Sequence, residues 1–249
     1  MANVLETAGR LDAALVARGF FASRAQAQAA IRAGRVRGDG DAATKPAARV
    51  GGGARVEVDG PAHPYVSRGG VKLAAALDAF AVDPAGAVCL DLGASTGGFT
   101  DVLLRRGARR VYAVDVGCGQ LAPAIAADRR VVNLEKTHVR DVAESAPEPA
   151  SVVVADLSFI GLRKALPPAL ACAAPGAALC VLVKPQFEMG PAAVGKGGIV
   201  KASDADYQAL TDELSAFLEA AGWASLGVIE SPIAGGDGNR EFLLGARRV

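Results

Sequence analysis

"LDLGASTGGFTD" (residues 90–101) joins a strand-like apolar run to the start of a helix through a turn rich in glycine. Gly93, Gly97 and Gly98 leave the backbone of that turn bare enough for a ligand to approach it. Many nucleotide-binding proteins share such a turn, so its neighbours must settle the fold. "AVCLDLG" (87–93), "RVYAVDV" (110–116), "RVVNLE" (130–135), "SVVVADLSF" (151–159) and "ALCVLVKP" (178–185) are short, nearly continuous apolar runs. Helix-length segments separate most of them. That alternation predicts βαβ units and a parallel sheet covered on both faces. The last two runs, "WASLGVIESPI" (223–233) and "REFLLGARRV" (240–249), are joined only by "AGGDGN". That connection is short for a crossover helix and suits a hairpin, so the sheet is expected to end with an antiparallel strand.

Ahead of this body the composition changes. "GRLDAALVARGFFASRAQAQAAIRAGRVRGDG" (9–40) reads as two short helices and a turn. Leu11, Leu15 and Val16 form one helical stripe, Ser23 is placed to cap a second helix over 24–33, and Gly34 ends it. "ARVEVDG" (54–60) alternates like a strand, and "DGPAHP" (59–64) is a breaker that sets a boundary near 60–64. The expected organisation is a small basic α+β domain over 1–61, a linker and helix over 62–86 carrying "SRGGVK" (67–72), and an α/β domain over 87–249. A core as small as the first would be only marginally stable alone.

Charge follows the same division. The 249 residues carry a net charge of +1, but residues 1–60 hold nine Lys/Arg against six Asp/Glu, while the remainder holds eighteen against twenty. From Arg10 to Arg37 there are six arginines (Arg10, Arg18, Arg24, Arg32, Arg35 and Arg37) and one acid, Asp12. A small basic module on a nearly neutral body points to an anionic partner at one end. The four cysteines are scattered without a C-x-x-C, and the two histidines, His63 and His138, lack zinc-ligand spacing, so no metal site is expected. The N-terminus lacks an apolar signal core and no apolar run reaches membrane-spanning length; a soluble, cytoplasmic protein without a membrane partner is expected.

Two details of the turn argue against a dinucleotide site. The glycine spacing is not G-x-G-x-x-G, and Asp91 precedes the first glycine. The second strand ends "YAVDVG", setting Asp115 where an acid can bond ribose hydroxyls. Aspartates that merely cap loops are the alternative. Asp156 ends "VVVAD" and Lys184 ends "CVLVK", so both reach the carboxyl edge of the sheet, where ligands bind in doubly wound folds. Glu241 begins the last strand, which runs backwards, so it falls at the same edge. Lys72 lies ahead of the first strand and can cover the crevice. Two lysines and two acids around one pocket can deprotonate an alcohol, since a nearby cation and partial desolvation favour a neutral amine. Two ordinary salt bridges are an equal reading on geometry alone.

The pattern Asp-x-Gly-x-x-x-Gly, with an acid after the second strand, resembles S-adenosylmethionine-dependent methyltransferases. That resemblance implies a Rossmann-like class I fold with a mostly parallel seven-stranded sheet. It also implies S-adenosyl-L-methionine as cofactor, held by Asp91, Gly93, Ala94, Ser95, Thr96, Gly97, Gly98, Phe99, Asp115 and Val116. Asp141, in "EKTHVRD" (135–141), joins them as a candidate adenine contact. The order Lys72, Asp156, Lys184, Glu241 matches the Lys-Asp-Lys-Glu tetrad of FtsJ-like ribose 2′-O-methyltransferases. The strings "YVSRGGVKL", "DLGASTGGFTD", "ADLSFI" and "VKPQFE" resemble the TlyA family of "haemolysin" rRNA methyltransferases. The basic front module is similar to an RNA-binding domain first seen in a ribosomal small-subunit protein, although "RGDG" stands where a V-N-G hairpin is common. The resemblance implies methylation of a cytidine 2′-hydroxyl in 16S or 23S rRNA, or both, within ribosomal subunits. The arginines named above and Arg68 would be the RNA contacts, and the protein a monomer or weak dimer. Two other readings stay in view: a non-catalytic ribosome-assembly factor and a membrane-acting haemolysin.

Overall fold

The computed structural model describes residues 3–4, 9–17, 20–21, 24–38, 41–43, 45–51, 54–58, 63–235 and 238–249. The chain divides into two compact units, 1–64 and 65–249. In the first, helices Leu11–Ala17 and Arg24–Arg32 pack through Leu11, Leu15, Ala27, Ala30 and Ile31. Strand Arg55–Val58 pairs with Val36–Gly38 and with Asn3–Val4, adding Val36 and Val56 to the same core. Ser23, expected as a cap, and Arg18 lie outside the described residues.

The second unit is built on seven strands: β1 (Val88–Leu92), β2 (Arg110–Val114), β3 (Val131–Leu134), β4 (Ala150–Ala155), β5 (Ala173–Val183), β6 (Trp223–Glu230) and β7 (Phe242–Arg248). They lie in the order β6-β7-β5-β4-β1-β2-β3. The first five are mutually parallel, and β7 runs antiparallel between β5 and β6. The expected terminal hairpin is therefore present, its second strand inserted into the sheet.

The apolar runs are continuous because alternate residues enter two different cores. Helices α1 (Gly69–Ala79) and α2 (Gly98–Arg105) cover one face, meeting Cys89, Val152, Val154, Cys180 and Leu182. Helices α3 (Leu162–Ala171) and α4 (Asp204–Ala220) cover the other, meeting Leu90, Leu92, Val153, Leu179 and Val181. A leucine buried in such a layer contributes roughly 1.5–3 kcal/mol. Burial also pushes the Cys89 and Cys180 thiols up to about 12, so both behave as apolar packing groups. The "SRGGVK" segment opens α1 inside this second unit.

Candidate active site

The topology brings three strand ends and one helix to the carboxyl edge of the sheet. Asp156 follows the last residue of β4 and Lys184 the last of β5. The antiparallel register sets Val183 opposite Phe242, so Glu241, one residue earlier, reaches the edge that Lys184 reaches. Lys72 is the fourth residue of α1. These four side chains form two ion pairs. Lys72 Nζ pairs with Glu241 Oε2, and the two side chains are only 9% and 3% exposed. Lys184 Nζ lies 2.5 Å from Asp156 Oδ1, with exposures of 13% and 23%. Lys184 also donates a hydrogen bond to Ser158 Oγ at 3.0 Å. Charges this far from water are tolerated because each has its partner; removing one strands the other.

A crevice of about 620 Å³ opens beside the second pair. Gly93, Ser95, Asp115, Val116 and Asp156 line it, together with His138, Ser158 and Phe159. Its size suits a nucleoside-like ligand. Gly93 has φ +78°, and a Cβ there would stand 2.5 Å from the Asp156 carbonyl oxygen, so only glycine lets the turn pass that close to β4. A Cβ at Gly98 would meet Ser67 Oγ, so the glycine leaves room for that side chain where the segment before α1 crosses the start of α2. Asp101, on α2, fastens that crossing by accepting the Val66 N–H at 2.9 Å. Asp115 accepts the N–H groups of Ser95 (2.8 Å) and Gly117 (2.7 Å), which aims its carboxylate across the turn.

Asp91 is fully buried. Thr100 donates to its Oδ2 at 2.6 Å, and Oδ1 has no partner among the described residues. Burial, with the nearby Asp156 and Asp115 charges adding to it, pushes this carboxyl up to about 7 against the opposing Thr100 bond. The remaining sequence candidates fall elsewhere. Ala94 and Phe99 pack into the α1–α2 core, and Thr96, Gly97 and Gly98 shape the turn without lining the crevice. Asp141 stays outside the crevice; its half-exposed carboxylate faces Arg140 at 3.7 Å. His138 and Val139 occupy the wall instead, and His138 Nδ1 accepts the Arg140 N–H at 3.2 Å. Arg68 donates to the Ala234 carbonyl oxygen at 2.7 Å.

The small unit corrects one expectation. Asp12, read as a single acid unable to neutralise its arginines, is buried and binds two of them. Its oxygens accept from Arg10 Nε and Nη2 (3.0 and 2.9 Å), Arg24 Nη2 (3.1 Å), Gln28 Nε2 (2.7 Å) and the Ala13 N–H (2.9 Å). Gln28 accepts in turn from Arg32 Nη2 at 3.4 Å. Arg10, Arg24 and Arg32 thus share one network, while the Arg10 and Arg24 side chains remain about half exposed. Arg35 and Arg37 sit at the start of the hairpin strand Val36–Gly38.

The FtsJ-like methyltransferase model matches residues 65–248, and the S4 domain model matches residues 9–56. The chain is 48% identical to the 16S/23S rRNA (cytidine-2′-O)-methyltransferase TlyA of Mycobacterium tuberculosis, over 96% of this chain and 89% of that protein. It belongs to the TlyA family of FtsJ-like methyltransferases. Hemolysin A of Brachyspira hyodysenteriae is a further relative, 37% identical over 94% of this chain and 98% of its own length. A solved structure of a candidate hemolysin from Streptococcus thermophilus superposes with a TM-score of 0.77 at 36% identity, covering 98% of this chain and 90% of that one. A candidate S-adenosylmethionine-dependent methyltransferase from Listeria monocytogenes shares the fold of the second unit at 16% identity, with a TM-score of 0.52 over 72% of this chain and 100% of that one.

For an FtsJ-like chain the tetrad positions were expected; three neighbours were not. Ser158 bonds Lys184. Phe159, in the left-handed region at φ +66°, is 91% exposed on the crevice rim. Its ring meets that of Phe187 at 5.1 Å. The string "SVVVADLSF" gives no sign that its last aromatic faces water while the preceding valines are buried.

Proposed function

We propose that this chain transfers a methyl group from S-adenosylmethionine to the ribose 2′-hydroxyl of a cytidine in ribosomal RNA. One observation carries the reading: both lysine–carboxylate pairs stand at the carboxyl edge of the sheet, and Asp156 of one pair lies on the wall of a crevice that suits a nucleoside cation. The crevice has acceptors for such a ligand. Asp91 Oδ1, buried behind the lining residues Leu92 and Gly93, has no partner among the described residues, and the bare Gly93 lets the ligand lie against the turn. Asp115 is set to bond ribose hydroxyls.

When bound, S-adenosylmethionine supplies an electrophilic methyl group on a sulfonium. Lys184 Nζ, as a neutral amine, would take the proton that the ribose hydroxyl gives up to receive that methyl group. Asp156 holds Lys184 in place, and Lys72 with Glu241 closes the buried side of the network. The exposed Phe159 ring, backed by the half-buried Phe187 ring, offers a face on which a nucleobase can stack. Arg10, Arg24, Arg32, Arg35, Arg37 and Arg68 grip phosphates, which positions the RNA without choosing the base. One chain supplies both pairs, which accords with a monomer or weak dimer, and a substrate in ribosomal subunits would put the enzyme in the cytoplasm.

Tritium transfer from labelled S-adenosylmethionine to each ribosomal subunit, followed by mapping of methylated riboses, tests the reading. Label on a cytidine 2′-oxygen is expected. Tight subunit binding without transfer would instead favour an assembly factor. The hemolysin names of relatives gain no support from the fold: among the described residues no helix is long and apolar enough to cross a membrane.

A further inference from the structure

A lysine that takes a proton must offer its lone pair in one direction, and nothing in the residue itself selects it. The side chain ends in a freely rotating nitrogen with equivalent donors. We propose that Ser158 is a positioning residue for Lys184, fixing the direction in which that lone pair points; the role rests on the methyl-transfer reading above. Asp156 Oδ1 lies 2.5 Å from Nζ on one side, and Ser158 Oγ accepts from Nζ at 3.0 Å on another. With two directions around a tetrahedral nitrogen engaged, one remains for the hydroxyl that loses its proton. Asp156 and Ser158 both line the crevice, so the remaining direction is set by groups on the crevice wall itself. A carboxylate alone holds the charge but leaves rotation about the Cε–Nζ bond free. A neutral hydroxyl adds direction without adding charge.

The loop that carries Ser158 is held for this purpose at several points. The next residue, Phe159, adopts φ +66°, a left-handed conformation that a non-glycine residue keeps only where its surroundings over-determine it. The Phe159 ring rests against Phe187, three residues beyond Lys184. The Leu162 N–H, at the start of α3, donates to Glu188 Oε1 at 2.8 Å. Residues 158–162 are thereby laced to residues 184–188 by a hydrogen bond at each end and an aromatic contact between. The serine and the lysine it orients are held against one another.

Ser158→Ala removes the acceptor and leaves the packing nearly unchanged; Ser158→Thr keeps a hydroxyl. Both would be compared with the wild type in single-turnover methyl transfer from tritiated S-adenosylmethionine to ribosomal subunits lacking the modification, across neutral and alkaline pH. Cofactor affinity would be measured alongside by calorimetry. The alanine variant is expected to be slower by about tenfold to a hundredfold, the range a misplaced reacting group produces. Cofactor affinity and half-saturation by the subunit should be unchanged, and threonine should restore most of the rate. The deficit should persist at alkaline pH, because direction and not proton occupancy has been lost. A wild-type rate in Ser158→Ala, a deficit that disappears at high pH, or a loss of cofactor binding would each overturn the role. A wild type that binds cofactor and subunit yet transfers no methyl would overturn the functional reading beneath it.

Discussion

Asp12 in the small unit and Asp91 in the sheet unit are both withdrawn from water, and their surroundings are opposite in kind. Asp12 is ringed by donors: two guanidiniums, an amide and a backbone N–H. The Arg10 hydrogen bonds, aided by those of Gln28 and Arg24, hold its carboxyl well below the usual carboxylate range. Asp91 meets one hydroxyl and two carboxylate neighbours, and its carboxyl is pushed up. The first acid completes its own ion pairs and serves the fold, turning arginine heads toward solvent. The second is left short of a cation, which makes it a receptor for one. An acid satisfied within the chain builds the scaffold; an acid left unsatisfied beside a crevice marks a ligand site.

The sharpest break of this contrast is at Lys184, whose pair faces the crevice. Lys184→Ala should lower methyl transfer by about a thousandfold, within the range of a lost general base, while cofactor binding stays close to wild type and the thermal transition falls because Asp156 loses its partner. Lys184→Arg should fail as well, because a guanidinium does not give up its proton near neutral pH. Near-normal turnover in either variant would remove Lys184 as the base.

The reverse pattern is expected at Asp12. Asp12→Ala leaves Arg10 and Arg24 facing one another without their anion. Hydrogen exchange should quicken within residues 9–58 and stay unchanged across β1–β7, and subunit binding should weaken while cofactor affinity holds. Acid should act the same way on the wild type. A carboxyl held low in the folded state stabilises above the ordinary carboxylate value, about 3.9, and that stability is lost as pH falls through the folded value. Unchanged exchange in Asp12→Ala would show that the network is incidental to the small unit.

How much of this was legible in the chain depends on how local the signal is. The five parallel strands could be read because both of their faces are covered, so nearly every position is apolar. The convergence of Asp156, Lys184 and Glu241 could be read because each adjoins a strand end, which the topology sends to one edge; that they form a tetrad with Lys72 came from the family resemblance. Pairing could not be read: nothing in the spacing of Lys72, Asp156, Lys184 and Glu241 says which lysine takes which acid, since that depends on rotamers across four segments. Asp12 was legible only as one acid among many arginines, because its burial follows from how the Leu11–Ala17 helix lies against its neighbour. Phe99 stood in a ligand-binding string yet turns inward. Phe159 stood at the end of an apolar run yet turns outward. Ser158 gave no signal, because its importance lies in a bond to a residue twenty-six positions away.

Asp91 offers the finest test, one of slope. Its folded-state carboxyl titrates near 7, whereas the unfolded chain releases that proton near 3.8. Between those values the folded state holds a proton that the unfolded state has lost, so this group makes stability fall as pH rises. The steepest contribution is about 1.4 kcal/mol per pH unit, and it is spent once pH passes the folded value. Asp91→Asn removes the titration while its amide oxygen can still accept from Thr100. The amide brings a buried N–H₂ group, so absolute stability also shifts, but that shift does not vary with pH. Urea unfolding of the two chains from pH 5 to pH 8 should give a wild-type curve that declines more steeply than the variant's. Saturating S-adenosylmethionine should flatten the wild-type decline, because its ammonium group supplies the charge that the ionised Asp91 lacks. Parallel curves without cofactor would mean that Asp91 is ionised throughout and that the crevice holds no unmet negative charge.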